Sequence, residues 1–227
     1  MSFYKCSIIV STMRLVGYTS ILLIANIVVF ILQMILGSEF ARNFILIPEL
    51  ASSQPWMFFT YMFFHADLIH LFFNMFGLYM FGSLVERRIG SNKFLALYIG
   101  SGVLAAVVGF FVYDAALGAS AAVVATVAAA IMFFPNSQVL FWGIIPMKMW
   151  QFGLLFIGIE LYSSVFVQNN VGNFAHIIGF IIGLAYAYYH IRIVDKELLK
   201  KKIKVSRAET IEVMDGTKYQ EYIKKNK

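Results

Sequence analysis

Six stretches of this chain are apolar over about the length a helix needs to cross a hydrocarbon core, roughly 20 residues at 1.5 Å each. They run from Leu15 to Gly37, Leu68 to Val85, Phe94 to Tyr113, Gly118 to Phe134, Met149 to Val167 and Gly172 to Ile193. Inside lipid a backbone must satisfy its own polar groups, so runs of this kind become helices. Composition agrees: 60% of the 227 residues are hydrophobic and only 13% are charged, far from an ordinary soluble domain. The expectation is an all-α membrane protein with a short N-terminus over 1–14, a six-helix membrane domain over 15–193 and a basic polar tail over 194–227. One further apolar stretch, Val139 to Met147, is too short to span and is expected at the interface, with Trp142 as an anchor.

Charge placement orients such a bundle. Six crossings put both termini on one side, together with the loops after the second and fourth runs. That side carries 17 of the 18 Lys and Arg residues, Arg42 being the exception. By the positive-inside rule both termini are cytoplasmic, and the loops around Asp67, Asp114 and Asn170 face outward. The net charge of +6 then reflects topology and attraction to anionic membrane lipid; with no folded basic domain to carry it, it gives no argument for nucleic acid. The opening "MSFYKCSIIVSTMR" has no small-residue cleavage site, so the first run is expected to be retained. Cys6 is the one cysteine, which excludes an intrachain disulfide.

Polar side chains at membrane depth are costly and tend to serve function. The candidates are His70 and Asn74 in "HLFFNM", Ser120 in "GASAAVV", Thr126, Glu160 and His176 in "GNFAHIIGFIIG". The second, fourth and sixth runs all enter from the outward side, so His70, Asn74, Ser120 and His176 share roughly the outer third of the bilayer. His70 and Asn74 are four apart and project from one side of a helix. Gly172, His176, Gly179 and Gly183 form a stripe on the sixth run, facing an alanine-rich fourth run; small residues let membrane helices approach closely. A serine hydroxyl needs a base to become a nucleophile, and histidine is the usual one near neutral pH. The oxyanion formed by attack on an amide needs fixed donors. His70, the Asn74 amide and the unpaired N–H groups at a helix start are suited to that task.

These motifs together resemble the rhomboid family of intramembrane serine proteases, over nearly the whole stretch from Leu15 to Ile193. The matching pieces are "HLFFN" (His70, Asn74), "VERRIG" (Glu86, Arg87, Gly90) followed by Phe94 and Tyr98, "GAS" (Gly118, Ser120) and "AHIIGFIIG" (Ala175, His176, Gly179, Gly183). The resemblance implies a six-helix core, a Ser120 and His176 catalytic dyad, an oxyanion hole from His70, Asn74 and the Ser120 amide, and close packing at Gly118, Gly179 and Gly183. It also implies cleavage of transmembrane segments of single-pass proteins near the outer face of the cell membrane, with no metal or cofactor. Three positions depart from the family's usual pattern. Ala121 replaces the glycine after the serine, Val124 replaces an aromatic ring four residues on, and Met57 follows Trp56 where arginine is common.

Two other function classes remain open at this level. One is a rhomboid relative that binds transmembrane segments without cutting them, although such relatives characteristically lack the serine or the histidine. The other is a small transporter, which tends to show duplicated halves and sites at the bilayer centre. His65, Asp67 and His70 fit no common metal-ligand spacing. Glu160 reads as a hydrogen-bonded structural residue rather than a third member beside His176, and Ser120 alone would read as a helix-start residue bonding its own backbone.

Overall fold

The computed structural model describes residues 17–141, 144–166, 171–197, 200, 221 and 223–225. The N-terminal segment with Cys6, Trp142, the loop at Asn170 and most of the basic tail lie outside the described residues. The chain divides into two compact units, Met1–Ala187 and Tyr188–Lys227. In the second, a π-helical turn over His190–Val194 places the His190 imidazole 3.4 Å from the Asp195 carboxylate.

The first unit opens with α1 (Gly17–Arg42), kinked at Gly37 where φ is +80°. An irregular segment follows, containing two single-turn helices, α2 (Pro48–Ala51) and α3 (Met57–Thr60), and a 3-10 turn over Tyr61–Phe63. α4 (Leu68–Gly77) starts at Asp67, whose carboxylate accepts the His70 N–H at 2.7 Å. A π-helical turn over Leu78–Gly82 joins α4 to α5 (Ser83–Ile89). Gly90, at φ +89°, turns the chain into α6 (Ser91–Gly109), and α7 runs from Ser120 to Phe133. Next come α8 (Met149–Phe166) and α9 (Val171–Tyr189).

Among the described residues four helices are long and apolar enough to cross a membrane: Gly17–Arg42, Leu68–Ile89, Ser91–Gly109 and Asn173–Glu197. Of the other two apolar runs, one forms the shorter apolar helix Ser120–Phe133 and the other forms α8, apolar over Met149–Ile159. α7 has a physical reason to be short. Every residue from Ala121 to Ile131 is buried inside the bundle, so its neighbours rather than lipid set its length. Its 14 residues span about 21 Å, less than the roughly 30 Å of a hydrocarbon core.

The described chain is mostly helical, as the all-α expectation has it, with one addition. Between α7 and α8 lie two antiparallel strands, β1 (Gln138–Phe141) and β2 (Ile145–Lys148), in register from Gln138 opposite Lys148 to Phe141 opposite Ile145. Pro135 and Pro146 disfavour helix there, and the β-branched and aromatic residues of "VLFWGII" favour an extended pair.

Two polar fixings hold the first unit at its ends. Glu86 reaches across to the start of α1, accepting the Tyr18 N–H at 2.8 Å, the Thr19 N–H at 2.9 Å and the Thr19 hydroxyl at 2.6 Å, with Ser91 as a further donor. A carboxylate on unpaired helix-start amides is charge-assisted and also meets the positive end of the helix dipole. At the far end of α6, Leu46 and Ala116 exchange backbone hydrogen bonds of 2.9 Å in both directions. That exchange ties the segment after α1 to the loop leading into α7.

Candidate active site

Ser120 is the first residue of α7, and the preceding turn depends on Gly118. Its φ of +119° lies where side-chain-bearing residues are strained, and an added Cβ would meet the His70 ring, 2.7 Å from Cε1 and 2.8 Å from Nε2. The Gly118 N–H is held by the Tyr61 carbonyl at 3.0 Å, and the Tyr61 hydroxyl donates to the Gly102 carbonyl at 2.8 Å. The irregular segment between α1 and α4 thus braces the turn that presents Ser120. Intrahelical bonding in α7 begins with the Val123 N–H on the Ala119 carbonyl at 3.0 Å, so the N–H groups of residues 120–122 have no acceptor within the helix.

The register of three helices converges on this turn. A Cβ on Gly179 would run into the Ala121 carbonyl, and one on Gly183 into the Ala125 carbonyl. Both contacts advance by four residues, so α7 and α9 run parallel with backbones touching. His176, three residues before Gly179, is therefore level with the turn at residues 118–120. Gly77 faces Val123 while His70 faces Gly118, so α4 runs in the same direction. The His70 and His176 imidazoles are close enough to interact electrostatically. Ser120, His70 and His176 are half-buried, whereas Asn74 is buried and donates to the His70 carbonyl at 3.0 Å. The Tyr113 hydroxyl accepts the Ala175 N–H at 2.7 Å, which secures the first turns of α9 beside His176.

One main-chain contact of the His70 ring bears on its tautomer. The Ala66 N–H points at Nδ1 at 3.5 Å. A neutral ring accepting there carries its proton on Nε2, the nitrogen beside the Gly118 turn. His65, fully buried in the same segment, stacks edge-on against His70 with ring centroids 5.1 Å apart. Burial first, and the neighbouring His70 second, pull its pKa from 6.5 down to about 4.

Not every polar residue singled out in the sequence joins this cluster. The Thr126 hydroxyl turns back onto the Ala122 carbonyl of its own helix at 2.9 Å, a bond that satisfies it without any partner. Glu160 lies in α8, and its side chain is outside the described residues. Among the described residues no cluster of three His, Cys, Asp or Glu side chains is placed to hold a metal ion. Sequence reasoning missed Gln33 and Tyr61. Gln33 was visible as an amide inside the run "VVFILQMILG", a costly placement in lipid; the role of Tyr61 lies in its main-chain carbonyl, which no residue pattern reveals.

Comparison with known proteins identifies the family. A family model described as the Rhomboid domain matches residues 52–193, a stretch that contains all four clustered side chains. The rhomboid protease GlpG of Haemophilus influenzae is 28% identical over 157 residues, 68% of this chain and 77% of that protein. RHOMBOID-like protein 12, mitochondrial, of Arabidopsis thaliana is 28% identical over 193 residues, covering 75% of this chain and 57% of the relative. A rhomboid protease GlpG of Klebsiella pneumoniae is 35% identical over 89 residues, 38% of this chain and 32% of the relative. The family model covers more than half of the 227 residues, and the chain belongs to the rhomboid family.

Proposed function

We propose that the protein is an intramembrane serine endopeptidase that cuts transmembrane segments of single-pass proteins near the outer face of the membrane. Ser120 is the nucleophile, His176 the base, and His70, Asn74 and the Ser120 N–H the oxyanion donors. The observation that carries this reading is the convergence of a half-buried serine at a helix start, a histidine level with it on a touching helix, and a second histidine packed on the intervening turn. In this reading six helices cross the membrane, with both termini cytoplasmic. The shortness of α7 then recesses Ser120 below the bilayer surface while leaving its start open to water from outside.

The reaction balances without a cofactor. His176 takes the Ser120 proton as Oγ attacks the scissile carbonyl, and the carbonyl oxygen becomes an anion facing the His70 Nε2–H, the Asn74 amide and the Ser120 N–H. The protonated His176 gives its proton to the leaving amine, and the acyl group stays on Ser120. A water that loses its proton to His176 then attacks the ester, and collapse of the second oxyanion returns the proton to Oγ. A substrate peptide bond must first leave its own helical hydrogen bonds, so segments with Gly or other weak helix formers near the cut are favoured.

Reconstitution tests this. Single-pass reporters in proteoliposomes should be cut within the outer part of their transmembrane segment by the native chain and not by Ser120→Ala. Replacing a Gly near the cut with Leu should slow cleavage, and an unchanged rate would remove helix opening from the mechanism. Cleavage that persists in Ser120→Ala would remove the dyad.

A further inference from the structure

Gln33 is a primary amide on α1, flanked by the exposed apolar residues Ile31, Leu32, Met34 and Ile35. Its Nε2 donates to the His65 carbonyl at 2.7 Å and its Oε1 accepts the His65 N–H at 3.2 Å. Both main-chain groups of one residue, 32 positions away, are thus held by one side chain. The residue so held opens the short turn that positions His70. Within it the His65 ring packs edge-on against the His70 ring, the Ala66 N–H faces His70 Nδ1, and the Asp67 carboxylate takes the His70 N–H.

We propose that Gln33 is a positioning residue for the oxyanion site: by clamping the main chain of His65 it fixes the turn that presents the Ala66 N–H to His70, and so holds the His70 proton on Nε2, toward the turn before Ser120. The inference rests on the reading of this site as a protease, in which His70 is a donor. A donor aimed where charge develops stabilises the oxyanion without reorganising at the moment of reaction. If the 65–67 turn slackens, the Ala66 N–H no longer selects the tautomer. The proton then redistributes between the ring nitrogens, and the donor is lost in a fraction of the molecules.

The test uses the full-length protein in detergent with histidines labelled with nitrogen-15, the His70 signals being assigned through His70→Gln. The native chain should show the Nε2–H tautomer at His70. Gln33→Leu should show a mixture, together with a tenfold to hundredfold slower reaction of Ser120 with a fluorophosphonate and an unchanged saturation constant for that probe. Gln33→Glu supplies a second readout. Protonated, it retains one donor and one acceptor toward His65; ionised, it places charge against the His65 carbonyl. Its reaction rate and its His70 tautomer should therefore approach native behaviour at low pH and depart from it together as pH rises. A folded Gln33→Leu with a native His70 tautomer would overturn the proposal, and so would a Gln33→Glu whose rate relative to the native chain does not change with pH. Tautomer mixing in Gln33→Leu with no labelling of the native Ser120 would uphold the positioning role while sinking the protease reading.

Discussion

Gly179→Ala should separate the two halves of the proposed Ser120–His176 dyad without touching either. The added Cβ would lie 3.0 Å from the Ala121 carbonyl carbon and 3.2 Å from its Cα, and nearer still to its oxygen. Carbon atoms rest at about 3.5–4.0 Å, and backbone cannot swing aside as a long side chain does. α9 must therefore withdraw by about 1 Å at this point. His176 lies one turn from Gly179 and moves with it, and a displacement of about 1 Å at reacting groups costs on the order of 100-fold in rate. The overpacking itself costs about 1–3 kcal/mol, so the fold is weakened more modestly than the chemistry. The assay is the rate at which a fluorophosphonate modifies Ser120, measured beside thermal melting. Gly183→Ala is the control. It meets the Ala125 carbonyl one turn farther along, so it should cost similar stability with a smaller loss of rate. A folded Gly179→Ala that labels at the native rate would refute the parallel register as the device that sets the Ser120–His176 approach.

Two predictions concern the scaffold. Glu86→Gln puts an NH2 group against the Tyr18 and Thr19 donors that now share a carboxylate; it should cost about 3 kcal/mol, read as a lower melting temperature, while an unchanged melting temperature would show that the network contributes little. His65, whose pKa burial lowers from 6.5 to about 4, should make stability fall on acidification. Above pH 6.5 both folded and unfolded chains hold it neutral, and below that the unfolded chain takes up the proton first. The loss should total about 3 kcal/mol by pH 4. Denaturation followed in detergent across that range should show the slope, and His65→Gln should reduce it; an equal slope in the variant would assign it to other groups.

Much of this architecture was written in local residue pattern. The runs starting at Leu68, Gly118, Met149 and Gly172 correspond closely to helices beginning at Leu68, Ser120, Met149 and Val171, because apolar content over 15–20 residues is a local property. The Gly179 and Gly183 stripe was legible for the same reason, since helical spacing fixes which residues share a face. What stayed hidden depends on contacts across the chain. The β1–β2 pair lies in a stretch too short and uniformly apolar for periodicity to distinguish strand from interfacial coil. The kink at Gly37 looked like an end, although helical residues continue to Arg42. The support given by Tyr61 passes through its main-chain carbonyl, which has no residue type to recognise, and the amide of Gln33, though visible in an apolar run, gave no sign that its partner is the main chain of His65. Thr126 shows the converse: a hydroxyl at membrane depth can be satisfied by its own helix.

The most direct test of the central claim is to expose the detergent-purified chain to a fluorophosphonate and map the adduct by mass spectrometry, with Ser120→Ala and His176→Ala alongside. One adduct is expected, on the Ser120 hydroxyl, absent from both variants because an unassisted serine displaces fluoride too slowly to register. A folded native chain that forms no adduct, or a His176→Ala variant that reacts as fast as the native chain, would contradict it.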